Sequence, residues 1–415
     1  MINKKKISII GLGYVGLPLL IEFSKHFRVV GYDIDISKIN TLKKKYEKNK
    51  NILITNNIKE IIETKFKIIC VPTPVDKDNK PNLKLLINAS KLVSKNIKNK
   101  DVIIYESTVY PGVTEDLCIP IIEKFSNIKC ISDIKHDGFF VGYSPERINP
   151  GDNEHTISNV IKIVSGNCKY STTEISKLYN KIVKAGVYKA KNIKTAEAAK
   201  IIENIQRDVN IALINELGLL FNKMDIRIHN VLDAASTKWN FINFKPGLVG
   251  GHCIGVDPYY LAHKAKQLHF KPTIIESGRK TNDSMSPKLA KIFLNNMTKK
   301  NVIKIKKVLI LGFTFKENCE DIRNTKIIDM YKFLIKNNCN VNVCDPIANA
   351  LDVKKMYGIK LVNKIPNKKY DGIIIAVSHN DFKKLDINVY KKISKRNTVI
   401  FDIKNLYPER NYLKI

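Results

Sequence analysis

Up to about Lys189, short apolar runs alternate with stretches of helical periodicity, the pattern of a parallel α/β sheet. The runs at 7–11, 28–32, 67–71, 101–106, 139–143 and 160–165 read as strands. Several end in segments carrying Pro, Ser, Thr or Glu. Ligands of open α/β sheets sit beyond the carboxyl ends of the strands. The segments 71–74, 106–112 and 144–151 are therefore expected to line one site, although Pro and Gly are also ordinary turn residues. From about 192 to 221 runs one proline-free helical stretch, roughly 45 Å long at 1.5 Å per residue. One small domain cannot cover it, which predicts a linking and dimerising role. More helix is expected to about 236, then a glycine-rich loop, then helical segments over 258–296. A second α/β region follows, with strands predicted at 307–312, 341–345, 372–377 and 398–403 and a boundary within 299–307.

The first strand runs into Gly11-Leu12-Gly13-Tyr14-Val15-Gly16, and the second ends at Asp33. Glycines in that spacing permit a tight turn and let a pyrophosphate approach a helix N-terminus. An acid about 20 residues on holds the adenosine ribose and repels a 2′-phosphate, favouring NAD over NADP. The competing reading is an α/β turn with no nucleotide. The first turn of the second region, residues 312–316, lacks the three glycines and is expected to bind something other than a dinucleotide. The expected fold is α/β: two Rossmann-like domains, 1–191 and 299–415, joined by a long central helix and helical region, 192–298.

A second glycine-rich segment, Gly250-Gly251-His252-Cys253-Ile254-Gly255-Val256-Asp257-Pro258, holds a cysteine. A thiol in such a loop is more readily explained by reactivity than by packing, with a small buried cysteine as the rival. A cation such as Lys200 would promote its ionisation, and Asp257 could position a water. His252 adjoins the thiol, but no further ligand is spaced nearby, so no metal is expected. On the long helix Lys200 and Asn204 lie one turn apart, and Glu197 and Asp208 extend their stripe. Spacing alone leaves open whether this stripe walls a buried site or faces water.

Composition narrows the classes. Hydrophobic residues make up 44% of 415 positions, and no apolar run reaches the roughly 18 needed to span a membrane. The opening apolar run is too short for a signal peptide and leads into the glycine motif, so a cytoplasmic protein without a membrane partner is expected. The eight cysteines include no Cys-x-x-Cys pair. The formal charge of +32 is mostly lysine spread along the chain, which reads as a solvated surface rather than a nucleic-acid interface. A polyanion-binding protein and a two-electron dehydrogenase remain as rival readings.

Four segments carry a resemblance: residues 144–152 (SPERINPGD), 199–216 (AKIIENIQRDVNIALINE), 246–260 (PGLVGGHCIGVDPYY) and 312–324 (GFTFKENCEDIRN). Through them the chain resembles the UDP-glucose/GDP-mannose dehydrogenase family over essentially its full length, in the branch acting on UDP-N-acetylhexosamines. The resemblance implies NAD in the first domain, dimerisation in the centre and uridine diphosphate in the last domain. It makes Cys253 the nucleophile, Lys200 and Asn204 oxyanion stabilisers, Asp257 and Thr108 holders of a water, and Glu146 a group for proton transfer or water activation. It adds Thr73, Thr108 and Arg323 to Gly11, Gly13, Tyr14, Val15, Gly16 and Asp33 at the cofactor. Arg147, Phe244, Gly247, Gly250, Lys316 and Lys404 join Glu146, Lys200 and Asn204 at the nucleotide sugar. The implied activity is a four-electron oxidation of UDP-N-acetylglucosamine by a homodimer, with the galacto epimer as the alternative. Two departures stand out: Pro150 replaces a second glutamate, and Thr237-Lys238-Trp239 stands where an arginine is donated across the dimer.

Overall fold

The computed structural model describes residues 5–148, 154–252, 254–299, 306–410 and 412–414. The chain divides into two compact units, 1–203 with 259–270, and 204–258 with 271–415. The division falls inside the central helix, Ile193–Lys223.

The first unit holds β1 (Lys5–Ile10), β2 (Arg28–Tyr32), β3 (Ile52–Thr55), β4 (Phe66–Ile69), β5 (Val102–Tyr105), β6 (Phe140–Tyr143), β7 (Lys162–Gly166) and β8 (Val187–Lys189). They form one sheet in the order β3-β2-β1-β4-β5-β6-β7-β8. β4, β5 and β6 are buried throughout, as expected where helices cover both faces of a parallel sheet. The order reverses between β1 and β4, so the loops after these strands flank a topological switch point.

The second unit holds β9 (Lys306–Leu311), β10 (Cys339–Cys344), β11 (Leu361–Val362), β12 (Tyr370–Ile375) and β13 (Ser394–Asp402), in the order β11-β10-β9-β12-β13. Counted from its own first strand, this sheet repeats the order of the first five strands of the other. Its core packs the helix Thr273–Lys299 on the sheet, with Phe293 stacked on Phe401 at 6.2 Å between ring centroids.

The α/β class and the paired Rossmann-like sheets expected from the sequence are present. Three short strands, β3, β8 and β11, were not expected. β7 pairs with β6 antiparallel, so the first sheet is not wholly parallel. A parallel return needs a crossover element, and no helix lies between β6 and β7 among the described residues.

Candidate active site

In the first unit, β1 delivers the chain into Gly11, whose φ of +95° suits glycine. A Cβ on Gly11 would meet the Cys70 carbonyl oxygen at 3.0 Å, and one on Gly16 would run into the Gly11 carbonyl oxygen. Gly13 faces open space, with nothing within 4 Å of a Cβ placed there. No side chain caps the following helix, Gly16–Ser24, so its first amides suit an anion. Val15 is half-buried and Tyr14 exposed at the same turn.

Asp33 is buried at the end of β2. It accepts from the Leu12 amide at 2.9 Å, the Asp35 amide at 3.0 Å and Lys38 Nζ at 2.9 Å. Burial pushes its carboxyl up, but Lys38 and the two amides hold it below the ordinary value. A carboxylate offers about four acceptor positions, so one remains for a ribose hydroxyl. The open space at Gly13, the uncapped helix and the ionised Asp33 together fit NAD.

Two further loops are tied to each other. Thr73 Oγ1 donates to the Thr108 carbonyl at 2.6 Å, and Ser107 Oγ to the Val71 carbonyl at 2.7 Å. Tyr260 Oη donates to the Thr73 carbonyl at 2.7 Å. Glu197, on the first turns of the central helix, accepts from the Gly112 amide at 2.6 Å and the Thr114 amide at 3.0 Å. Burial raises its carboxyl to about 7 despite these donors.

Glu146 follows β6. Its Oε1 accepts from the Arg147 and Ile148 amides at 2.7 and 2.6 Å, while Oε2 is buried without a hydrogen bond. Arg147 pairs with Glu203 at 2.9 Å and donates to the Ile161 carbonyl. The residues 149–153, including Pro150, lie outside the described residues. A buried cluster adjoins Glu146: Lys162 Nζ lies 2.7 Å from Glu106 Oε2 and 3.9 Å from Glu146 Oε2, and Tyr179 Oη donates to Glu106 Oε1. Sequence reasoning missed this cluster. Its signal was Lys162 inside the apolar run 160–165 and Glu106 closing the run 101–106.

In the second unit, Asn204 Nδ2 donates to Asp257 Oδ2, and Arg207 donates to Asn204 Oδ1. Glu197, Lys200, Asn204 and Asp208 are all buried, so the polar stripe of the central helix does not face water. Further along, Asn215 clasps Gly247 through two hydrogen bonds of 2.9 Å, one to its carbonyl and one from its amide. Asn282 donates to Asp208 at 2.8 Å and accepts from Asn215 at 2.9 Å, and Arg279 pairs with Asp208 at 2.6 Å.

The clasped loop leads to Gly250 and Gly251. A Cβ on Gly250 would meet the Asn324 carbonyl at 2.7 Å; Gly251 has φ +80° and lies against the Phe315 ring. Cys253 itself lies outside the described residues. His252 is half-buried with Nε2 lacking a partner, and burial pulls its imidazole down, as does Arg323. Arg323 is tied to Asp321 at 2.7 Å.

A cavity in this unit is lined by Leu248, Gly250, Thr314, Phe315, Lys316 and Lys404, among others. Lys404 Nζ would lie 3.1 Å from a Cβ on Gly247, and burial pulls its ammonium down. Phe244 is half-buried against Ile214, Ile228 and Leu232 and is not among the cavity's lining residues. At the end of β10, Asp345 occupies the place that Asp33 has in the first unit. It is filled by the amides of Phe313, Thr314, Ile347 and Ala348 and by His379 Nε2 at 3.0 Å. With its acceptor positions taken, it offers none to a ribose, which agrees with the missing glycines of that turn.

Three family models match the chain in series. They are the NAD binding domain of the UDP-glucose/GDP-mannose dehydrogenase family at residues 5–183, its central domain at 194–284 and its UDP binding domain at 309–409. The chain belongs to the UDP-glucose/GDP-mannose dehydrogenase family. The dehydrogenase is 46% identical to the UDP-N-acetyl-D-glucosamine 6-dehydrogenase of Salmonella typhi, over 98% of this chain and 97% of the relative. It is 45% identical to the Pseudomonas aeruginosa protein of the same name, over 97% of each. A solved UDP-D-ManNAc dehydrogenase from Pyrococcus horikoshii superposes with a TM-score of 0.86 at 28% identity, covering 99% of this chain and 98% of that one. The dehydrogenase is thus an NAD-dependent oxidoreductase, and the polyanion-binding reading is dropped. No helix among its described residues is long and apolar enough to cross a membrane.

Proposed function

We propose that the enzyme oxidises the C6 hydroxyl of UDP-N-acetyl-D-glucosamine to the uronate, consuming two NAD and one water. The observation that carries this reading is the 45–46% identity, over nearly the whole chain, to two proteins named as 6-dehydrogenases of that sugar nucleotide. NAD, when bound, takes up the hydride lost from C6 in each of the two oxidations. Gly11, Gly13, Tyr14, Val15, Gly16 and Asp33 would hold its adenosine diphosphate half, with Thr73, Thr108 and Arg323 completing the contacts. Lys316, Lys404, Gly247 and Gly250 would receive the substrate's uridine diphosphate, the two lysines matching its negative charge. Phe244 and Arg147 belong to the same proposal, although Phe244 packs in a separate apolar cluster.

The first oxidation leaves an aldehyde at C6. The Cys253 thiolate adds to that carbon, and the oxygen that gains charge is stabilised by the Lys200 ammonium and the Asn204 amide. Loss of the second hydride leaves a thioester on Cys253. Water held by Asp257 and Thr108 attacks the thioester carbon, Glu146 takes the water's proton, and the thiolate leaves. Asn204 and Asp257, already hydrogen-bonded to each other, would turn toward the reacting oxygen and the water respectively. We further propose a homodimer working in the cytoplasm, its product supplying surface-polysaccharide assembly.

The test is NADH formation by the purified enzyme with UDP-glucose, UDP-N-acetylglucosamine, UDP-N-acetylgalactosamine and UDP-N-acetylmannosamine. Two NADH per UDP-N-acetylglucosamine is the expected result, and two from the galacto compound alone would reassign the epimer. One NADH per substrate would overturn the thioester route. Cys253→Ala is expected to abolish uronate formation while leaving the fold intact.

A further inference from the structure

Lys162 opens β7 in the interior of the first unit, where an unpaired ammonium would be expensive. Its nearest partner is Glu106 at 2.7 Å, but a second carboxylate, Glu146, lies 3.9 Å away with its Oε2 turned to no hydrogen-bond donor. One buried cation therefore serves two buried carboxylates. The other groups of the cluster add no positive charge. Tyr179, at the end of its helix, spends its hydroxyl on Glu106 and lays its ring 5.3 Å from Lys162 Nζ. Cys70, after β4, is pushed far up by burial and by the two carboxylates, so it stays a neutral thiol. Arg147 is committed to Glu203 and the Ile161 carbonyl.

We propose that Lys162 is a positioning residue for Glu146, the cation facing the buried carboxylate that takes the water's proton, and that Glu106 moderates its effect. Without a facing cation, a carboxylate out of water is driven to its neutral form, which cannot act as a base. Glu106, the nearer carboxylate, shares the ammonium with Glu146 and weakens its hold there. The proposal rests on the reading of Glu146 as the proton-transfer group for thioester hydrolysis.

The two halves of this arrangement predict opposite shifts, which a merely structural role would not give. Lys162→Met leaves two buried carboxylates, Glu146 and Glu106, with no facing cation, and is expected to raise the titration midpoint at Glu146 by about one pH unit or more. Glu106→Gln leaves it beside an undiluted ammonium and is expected to lower the midpoint by about as much. The double variant Lys162→Met/Glu106→Gln is expected to return toward the parent value. The midpoint is read by difference infrared titration of the carboxyl band that Glu146→Gln removes, a measurement that needs no substrate. If Lys162→Met does not fold, the downward shift in Glu106→Gln alone carries the test. No shift in a folded single variant, or shifts of the same sign in both, would overturn the proposal. The acid limb of kcat for NADH formation separates it from the reading on which it rests. Matched infrared and kinetic shifts support both. Full turnover by Glu146→Gln overturns the role of Glu146 in hydrolysis, and the charge control of Glu146 by Lys162 then serves no catalytic purpose.

Discussion

Glu197 shows how a single residue makes the fold sensitive to pH. Its carboxyl keeps a proton to about pH 7 in the folded chain, against an ordinary value of 4.5. Between these values the native state binds the extra proton, so stability falls as pH rises from about 4.5 to 7 and the loss is complete above that. At 1.36 kcal/mol per unit the loss is roughly 3 kcal/mol. Glu197→Gln removes the titration but sets an NH₂ against one of the two amides, a pH-independent cost of about 1 kcal/mol. The expected outcome is a lower Tm at pH 5 and a flatter dependence of Tm between pH 5 and 8, checked by thermal unfolding across that range. An unchanged slope would show that Glu197 does not titrate there. At this scale the sequence was legible where spacing forces a geometry, as with Gly11, Gly16 and Asp33. It was not legible for Lys162 and Glu106, because a lone charge at a strand end looks solvated until its burial is known.

The central helix and the loop it clasps act as one element. Asn215 satisfies both backbone groups of Gly247 and is itself held by Asn282, which Asp208 and Arg279 anchor. This chain of buried amides fixes the entry to the segment that carries Cys253 on to Asp257. Asn215→Ala strands the Gly247 amide and carbonyl and one oxygen of Asn282, an expected loss of about 2–4 kcal/mol. We expect lower stability by denaturant titration, and in the folded enzyme a fall in kcat exceeding any rise in KM for NAD. A stable Asn215→Ala variant with full kcat would mean the clasp is dispensable. Periodicity foretold the helix, observed at Ile193–Lys223, but left its polar stripe ambiguous. The stripe proves buried alongside Ile201, Ile205, Ala212 and Ile214, while Ile202, Leu213 and Leu220 stand 62, 52 and 50% exposed, so polarity does not tell the inner face of this helix from its outer one. Edge strands β8 and β11 escaped notice because two or three residues carry too little alternation to register.

Those exposed apolar side chains bear on the whole molecule. Within the second unit, Leu213 and Leu220 lie two turns apart on one helix face, and Met224, Phe241, Ile242 and Trp239 are also exposed, Trp239 at 92%. Apolar side chains in this number, in a chain of net charge +32, favour a partner over open water. A uniform positive charge opposes self-association at long range, so a dimer needs burial of this kind to form. We therefore expect sedimentation to give twice the mass of one chain, with association strengthened by added salt as repulsion is screened. Leu213→Glu with Leu220→Glu is expected to yield a folded monomer, since neither side chain belongs to a buried core. A double variant that remains dimeric would place the interface elsewhere. A parent chain that is monomeric at every salt concentration would leave the exposed face without a second copy to cover it.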